Sequence, residues 1–271
     1  MTEKIKKYQQ IVVLMTDFGL KSSYVAQMKG AMLSINPNLN IVDLTHGISP
    51  QNIKEAAFVI GGSYKFFPKN TIFVCVVDPE VGMLRKIILL KADGFYFIAP
   101  DNGLLTLVLE KEKEKEIFSL ENDKYFLEKI SPTFHGRDIF APVAAYLSLG
   151  TELNEFGPIM QDINKMKLKE LIVTEKEIQG EIIFMDRFGN AVTNIEGDYL
   201  LEKNIDFTSL VIKFKGYYVI GISKSYSEKG IGELLALIGS NGYLEIAINK
   251  GSAEEECGIK VGDKVKLSIN K

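Results

Sequence analysis

Histidine and cysteine are both scarce, with two of each in 271 residues. Cys75 lies inside the apolar run TIFVCVVD, and Cys257 follows the acidic run EEEC. No metal-type cysteine spacing exists, and two thiols in such different settings make a poor disulfide pair. Beyond His46 and His135 there is no imidazole, nothing like HExxH and no run of clustered carboxylates. No metal site is expected. A basic excess is missing too: 32 basic and 35 acidic residues are mixed along the chain, for a net charge of −3. A nucleic-acid partner, which would call for a basic stripe, is therefore disfavoured. No long apolar run occurs near the start, where the polar MTEKIKKYQQ precedes the five residues IVVLM. That is too short for a signal segment or a membrane span, so a cytoplasmic, reducing location and no membrane partner are expected. TDFGLKSS is neither GxGxxG nor GxxxxGK(S/T), so neither a dinucleotide nor a nucleoside triphosphate is indicated.

What the chain does have is enough apolar residues, 46%, against 25% charged, to bury a real core in one large or two modest domains. QIVVLM (10–15), NIVDL (40–44) and TIFVCVV (71–77) read as buried strands. Between the first two, Val25, Met28, Met32 and Ile35 fall at helical spacing, with a start near Ser22 or Ser23 and a stop before Asn36-Pro37. A second helix is expected with Ser49 as cap and Pro50 in its first turn. KIILLKADGFYFIAP predicts a hairpin about Asp93-Gly94. NGLLTLVLEK and RDIFAPVAAYLSLG predict further helices, the second broken or started by Pro142. EKEKEKE (110–116) reads as a solvated loop or a charge-protected edge strand. Strand–helix alternation implies an N-terminal three-layer α/β domain with a largely parallel sheet, over 1–160. A linker is expected over 161–178, and a small antiparallel β-barrel or sandwich over 179–271, where only EKGIGELLALI breaks the pattern of short alternating strands.

The polar clusters sit where strands end. TDFG (16–19), DLTHG (43–47), VVDPEVG (76–82) and APDNG (99–103) all occupy such positions, and the carboxyl ends of parallel strands form the ligand crevice of an open sheet. Asp17, Asp78 and Asp101 are therefore expected to converge on one cleft, against the plainer role of a short carboxylate in capping and turns. His46 reads as a hydrogen-bonded structural histidine. Asp78 and Arg85 bracket the turn DPEVGMLR, and His135 starts a later helix. Together they could orient, stabilise negative charge and take a proton. Spacing alone leaves open a plain Asp–Arg ion pair that shapes the loop.

TDFG…YVAQMKG, VVDPEVG…R, APDNGLL, TFHGRDIFAPVAAYLSLG, FGP and DRFGNAVTNI, in this order, resemble the S-adenosylmethionine (SAM) hydroxide adenosyltransferases, or SAM hydrolases, which are related to SAM-dependent chlorinases and fluorinases. The resemblance spans both domains. It implies attack of water or hydroxide on the ribose C5′ of SAM, giving adenosine and L-methionine, with Asp78, Arg85 and His135 positioning and activating the water. The halogenating relatives lack the histidine and the arginine. Asp17 is implied to bind the ribose hydroxyls, and Asp186, Phe188, Asn190, Ser240 and Asn241 to hold methionine and adenine. SAM is then the substrate, no cofactor is needed, and the protein is a homotrimer with each site between one subunit's first domain and a neighbour's second. Glu80 departs from a common glycine, and Ser22-Ser23 replace a stretch that often contains aspartate. Asn241 and Ile248 stand where fluorinating relatives have arginines, which implies a rearranged methionine subsite. The alternatives are a SAM halogenase in the same fold, a SAM- or adenosine-binding sensor without turnover, and a metal-dependent phosphohydrolase. The missing metal ligands disfavour the last.

Overall fold

A computed structural model describes residues 10–167 and 170–269. The polar start of the chain, residues 168–169 of the expected linker and the end of KVKLSINK lie outside the described residues. The chain divides into two compact units, 1–166 and 167–271.

In the first unit the order is β1 (Ile11–Thr16), α1 (Tyr24–Ile35), β2 (Asn40–Thr45), α2 (Ile53–Ser63), β3 (Ile72–Val76), β4 (Ile87–Ala92), β5 (Phe95–Pro100), α3 (Thr106–Lys111), β6 (Lys115–Ser119) and α4 (Ala141–Ser148). The sheet runs β2-β1-β3-β5-β4-β6. β1 is parallel to β2 and β3, and β3 to β5, whereas β4 is antiparallel to both of its neighbours. Alternate residues of each strand serve opposite faces. Val12, Leu14, Val74 and Val76 pack with Met28 and Met32 of α1 and Val143 and Ala144 of α4. Val13, Met15, Phe73 and Cys75 pack with Ile60 of α2 and Val108 of α3. This double covering explains why the strands are unbroken apolar runs, and each such buried side chain contributes about 1.5–3 kcal/mol. It is the three-layer, largely parallel arrangement expected.

Local signals resolve as follows. Asp93 and Gly94, both at positive φ (47° and 74°), make the two-residue turn between β4 and β5. The charged run ends in β6, an edge strand whose Glu116 pairs with Lys91 of β4 at 2.6 Å. Pro142 sits in the first turn of α4, preceded by a π-helical turn over Gly136–Phe140. The start of α2 differs from expectation. Asn52, not Ser49, is the cap, with its side chain accepting from the Glu55 N–H. Ser49 and Pro50 instead open a turn closed by Asn52 N–H to Ser49 C=O at 3.0 Å, with Gln51 at φ 64°. The turn takes precedence over the cap because Gln51 N–H has a partner elsewhere, Asp17.

In the second unit β7 (Ile172–Val173), β8 (Glu177–Met185), β9 (Ala191–Glu196), α5 (Gly197–Glu202), β10 (Val211–Phe214), β11 (Tyr217–Ile220), β12 (Leu234–Ile238), β13 (Tyr243–Ile248), α6 (Ala253–Cys257) and β14 (Lys264–Ser268) follow in order. The strands pair antiparallel as β11-β10-β14-β8-β9-β13-β12, with β7 on β8. Ser223 N–H to Ala236 C=O (2.7 Å) ties the segment after β11 to β12, so the sheet nearly closes into a barrel around Ile182, Ile195, Ile212, Leu244, Ile246 and Leu267. The exception expected at EKGIGELLALI is overturned: LLALI forms β12, because its apolar residues pair with β13 along their whole length. Within 161–178, Asn164 and Met166 hydrogen-bond to Asp101 and Thr106 of the first unit, while Ile172–Val173 joins the second sheet. Both cysteines are free.

Candidate active site

Because β1, β2 and β3 are parallel, Asp17, the turn at Ser49–Asn52 and Asp78 all emerge at one edge of the sheet. They line a cleft of about 360 Å³ together with Phe18, Tyr24, Val81, Phe134 and His135. Three features deliver the histidine. Gly82, at φ 81°, lies so close to the next segment that a Cβ would sit 2.5 Å from the Pro132 carbonyl oxygen. Asp138, fully buried, accepts from Ser131 N–H at 2.7 Å and from Arg137 Nε at 2.6 Å, and so closes the loop 131–138. The π-helical turn then begins at Gly136, just after His135; such turns are frequent at functional sites.

The result is a chain of contacts. Arg85 Nε donates to Asp78 Oδ2 at 2.7 Å, and Arg85 Nη2 lies 2.8 Å from His135 Nδ1. The Asp78 and Arg85 side chains are 5% and 4% exposed. A guanidinium has no lone pair to offer, so Nδ1 must accept, and neutral His135 carries its proton on Nε2. Burial, followed by the positive charge of Arg85, holds the His135 pKa below its ordinary 6.5, against the opposing pull of Asp78 and Asp138. Asp78 Oδ1 is buried and makes no hydrogen bond among the described residues. Asp78 and Arg85 do form the ion pair, and the same arginine also reaches the histidine.

Asp17 lines the cleft with Oδ2 accepting the Gln51 N–H at 2.8 Å. Asp101 does not join Asp17 and Asp78. It is buried, with its pKa raised by desolvation, and it accepts from the Asn164 N–H at 2.7 Å as a latch for the end of the unit. His46 is structural: Nδ1 lies 2.9 Å from Thr16 Oγ1 and Nε2 3.0 Å from Asp43 Oδ1, and its carbonyl accepts from Gly19 N–H. Glu80 is exposed. Among the described residues no group of three His, Cys, Asp or Glu side chains could hold a metal ion.

In the second unit Asp186 organises the turn DRFGN. Its Oδ1 accepts from Phe188 and Asn190 N–H (2.8 and 2.9 Å), and its Oδ2 from Asn190 Nδ2 at 2.9 Å. Phe188 is left 75% exposed. Ser240 and Asn241 occupy the β12–β13 turn, with Asn241 Oδ1 accepting from Tyr243 N–H at 3.2 Å. Ile248 is buried in the barrel core. Between the two turns stands Glu245, which sequence reasoning missed. It is buried, takes the Tyr226 hydroxyl at 2.6 Å, and its pKa is raised by desolvation and by the nearby Asp186. Its Oε2 lies where a Cβ on Gly239 would be 2.8 Å away. The signal available was a lone carboxylate inside the apolar strand YLEIAI.

Fold and cleft together define a two-unit protein, a three-layer α/β unit with a cleft at its strand ends and an antiparallel barrel behind it in sequence. The SAM hydroxide adenosyltransferase N-terminal domain profile matches residues 12–157 and the C-terminal domain profile residues 180–266, and the chain belongs to this family. It is similar to the (R)-S-adenosyl-L-methionine hydrolases of Thermus thermophilus (34% identical over 268 residues, 94% of this chain and 98% of that one) and Methanocaldococcus jannaschii (34% over 275 residues, 95% of each). A fluorinase from an Actinoplanes species is 31% identical over 283 residues, covering 93% of this chain and 95% of its own length. The crystal structure of an uncharacterised conserved protein from Thermotoga maritima superposes with a TM-score of 0.89 at 39% identity, covering 95% of this chain and 99% of that one. Among the described residues no helix is long and apolar enough to cross a membrane.

Proposed function

We propose that the protein hydrolyses SAM at the ribose C5′, releasing adenosine and L-methionine. The observation that carries this reading is the Asp78–Arg85–His135 chain, ending in a buried carboxylate oxygen with no hydrogen-bond partner among the described residues. The sulfonium of SAM leaves as a neutral thioether, so its departure needs no acid. The nucleophile is the difficulty, since bulk water has a pKa of about 15.7. A small turn of the Asp78 side chain, whose Oδ1 is buried in the resting cleft, lets water donate a hydrogen bond to that oxygen while accepting one from His135 Nε2–H. As its oxygen attacks C5′ and the C–S bond breaks, the proton passes toward Asp78, and Arg85 keeps both partners in place. Base assistance of this kind is worth ~10²–10⁴ in rate, and in-line positioning must supply much of the rest. Asp17 holds the ribose hydroxyls. Asp186, Phe188, Asn190, Ser240 and Asn241 bind the methionine and adenine parts, with Glu245 adding negative charge suited to an ammonium group.

The protein works without a cofactor, in the cytoplasm, as a homotrimer whose sites each join one subunit's first unit to a neighbour's second. Resemblance to the family supports the trimer, and the large exposed ring of Phe188 fits a surface that a neighbour covers. The test is incubation with SAM in chloride-free and chloride-containing buffer, with chromatography of the nucleosides beside a His135→Ala control. Equal adenosine and methionine, independent of halide and much reduced in the variant, is the expected result. A halogenated deoxyadenosine would identify a halogenase, and intact SAM throughout would overturn the reading.

A further inference from the structure

Gln51 is a residue that the proposed reaction does not use, yet it is held in an unfavourable conformation at the mouth of the cleft. The turn Ser49-Pro50-Gln51-Asn52 has proline at its second position and a positive φ, 64°, at its third. That is the pattern of a type II turn, whose third position ordinarily takes glycine or asparagine. A glutamine there is strained, and strain retained at a cleft is a pointer toward function. Two consequences of the conformation are visible. The Gln51 N–H is directed to Asp17 Oδ2 at 2.8 Å, and Gln51 lines the same cleft as Asp17. No other bond to the Asp17 carboxylate is made among the described residues, so this N–H alone fixes how the carboxylate is turned.

We infer that Gln51 is a positioning residue for sugar recognition: its left-handed backbone presents an N–H that locks the Asp17 carboxylate in the orientation that receives the ribose hydroxyls. A carboxylate has about four acceptor sites. With one engaged by Gln51, the others remain for a vicinal diol, already oriented before the substrate arrives, so less ordering is required on binding. The flanking residues sustain the strain: Pro50 fixes the preceding φ, and Asn52 anchors the following helix through Glu55 N–H. This inference rests on the hydrolase reading, which supplies the ribose.

The test is binding of adenosine against 2′,3′-dideoxyadenosine by calorimetry, on wild type and three Gln51 variants whose folding is checked by melting temperature. Wild type is expected to prefer adenosine. Gln51→Pro lacks the N–H, and Gln51→Val keeps it but resists φ near 64° because of its branched Cβ. Both should lose about tenfold or more of affinity for adenosine, as expected for a hydrogen bond to a charged group, while binding the dideoxynucleoside as wild type does. Gln51→Gly, which keeps the N–H and removes the strain, should rescue the preference. A merely structural role would weaken both ligands alike and overturn the inference, as would an unchanged preference in Gln51→Val and Gln51→Pro. If wild type binds neither nucleoside, the hydrolase reading fails instead.

Discussion

Arg85 Nη2 stands 2.8 Å from His135 Nδ1, and that single contact decides which ring nitrogen of the neutral imidazole carries the proton. A permanently charged donor on Nδ1 leaves Nε2 protonated, so His135 acts as a hydrogen-bond donor, and in the proposed reaction the acceptor for a proton is Asp78 Oδ1.

The protonation state of His135 can be measured directly. Burial and Arg85 lower its pKa in the folded state, so its NMR titration should fall below the ordinary 6.5, with the proton on Nε2 at neutral pH. The unfolded chain then binds the proton more readily than the folded one, and the histidine's contribution opposes folding as pH drops below about 6.5. Activity should stay level from pH 8 down to 6.5 and decline only below that. A titration above 6.5 would contradict the arrangement.

Replacing Arg85 should do two things at once. Arg85→Ala removes a cation that depresses the His135 pKa, so the histidine's titration should move upward. It also leaves the buried Asp78 carboxylate unpaired, costing about 3–5 kcal/mol of stability in denaturant titrations and ~10²-fold or more in turnover. Arg85→Lys cannot bridge both partners through a planar fork and should recover stability better than activity.

Gly82→Ala tests the loop contact. An added Cβ would meet the Pro132 carbonyl at 2.5 Å and impose a strained φ of 81°. The expected outcome is about 1–3 kcal/mol of destabilisation in the melting curve. Turnover should fall further than stability explains, because the segment carrying His135 is pushed away from Arg85.

Glu245→Gln should stabilise the protein at neutral pH. Desolvation and Asp186 raise the Glu245 pKa in the folded state, so its stabilising share is complete below the unfolded pKa of about 4.3 and is lost as pH rises through the folded value. The amide can still accept the Tyr226 hydroxyl. Its gain in melting temperature should therefore be present at pH 7 and fade toward pH 4, while the KM for SAM rises if the carboxylate faces an ammonium group.

Asp101→Asn distinguishes the latch from the cleft. Its kcat and KM for SAM should stay within about twofold of wild type, since Asp101 engages Asn164 and does not line the cleft.

The strands of the first unit were legible because runs such as IVVLM and TIFVCVV are buried on both faces. The placing of Asp17, Asp78 and Gln51 at one edge then follows from parallel order. A strand-end carboxylate such as Asp101 looks the same in sequence whether it faces a crevice or accepts from the backbone N–H and side-chain amide of one residue, Asn164, on a later segment, and only the tertiary path distinguishes the two. LLALI has the spacing of either element. Its pairing with β13 settles it as strand, and no local signal carries that information. Ser49-Pro50 reads equally well as a helix start or a turn, since proline suits both the first turn of a helix and the second position of a β-turn, and this hides the conformation of Gln51. Glu245 was overlooked because a carboxylate within an apolar strand gives no hint of its partners.

The lone reversed strand β4 has a further effect. β3 leaves the sheet at the cleft edge, and β4, running opposite to β5, re-enters at that same edge. No helix has to carry the chain back across the sheet, and Asp78 and Arg85 are only seven positions apart, whereas His135 arrives from fifty positions away. Loop closure becomes dearer with length, so the acid–guanidinium pair can assemble early from neighbours while the imidazole docks afterwards. The site is therefore modular in sequence: a lineage could exchange the residue at position 135 and inherit the carboxylate and the arginine unchanged, or alter the short loop and leave the histidine's scaffold intact.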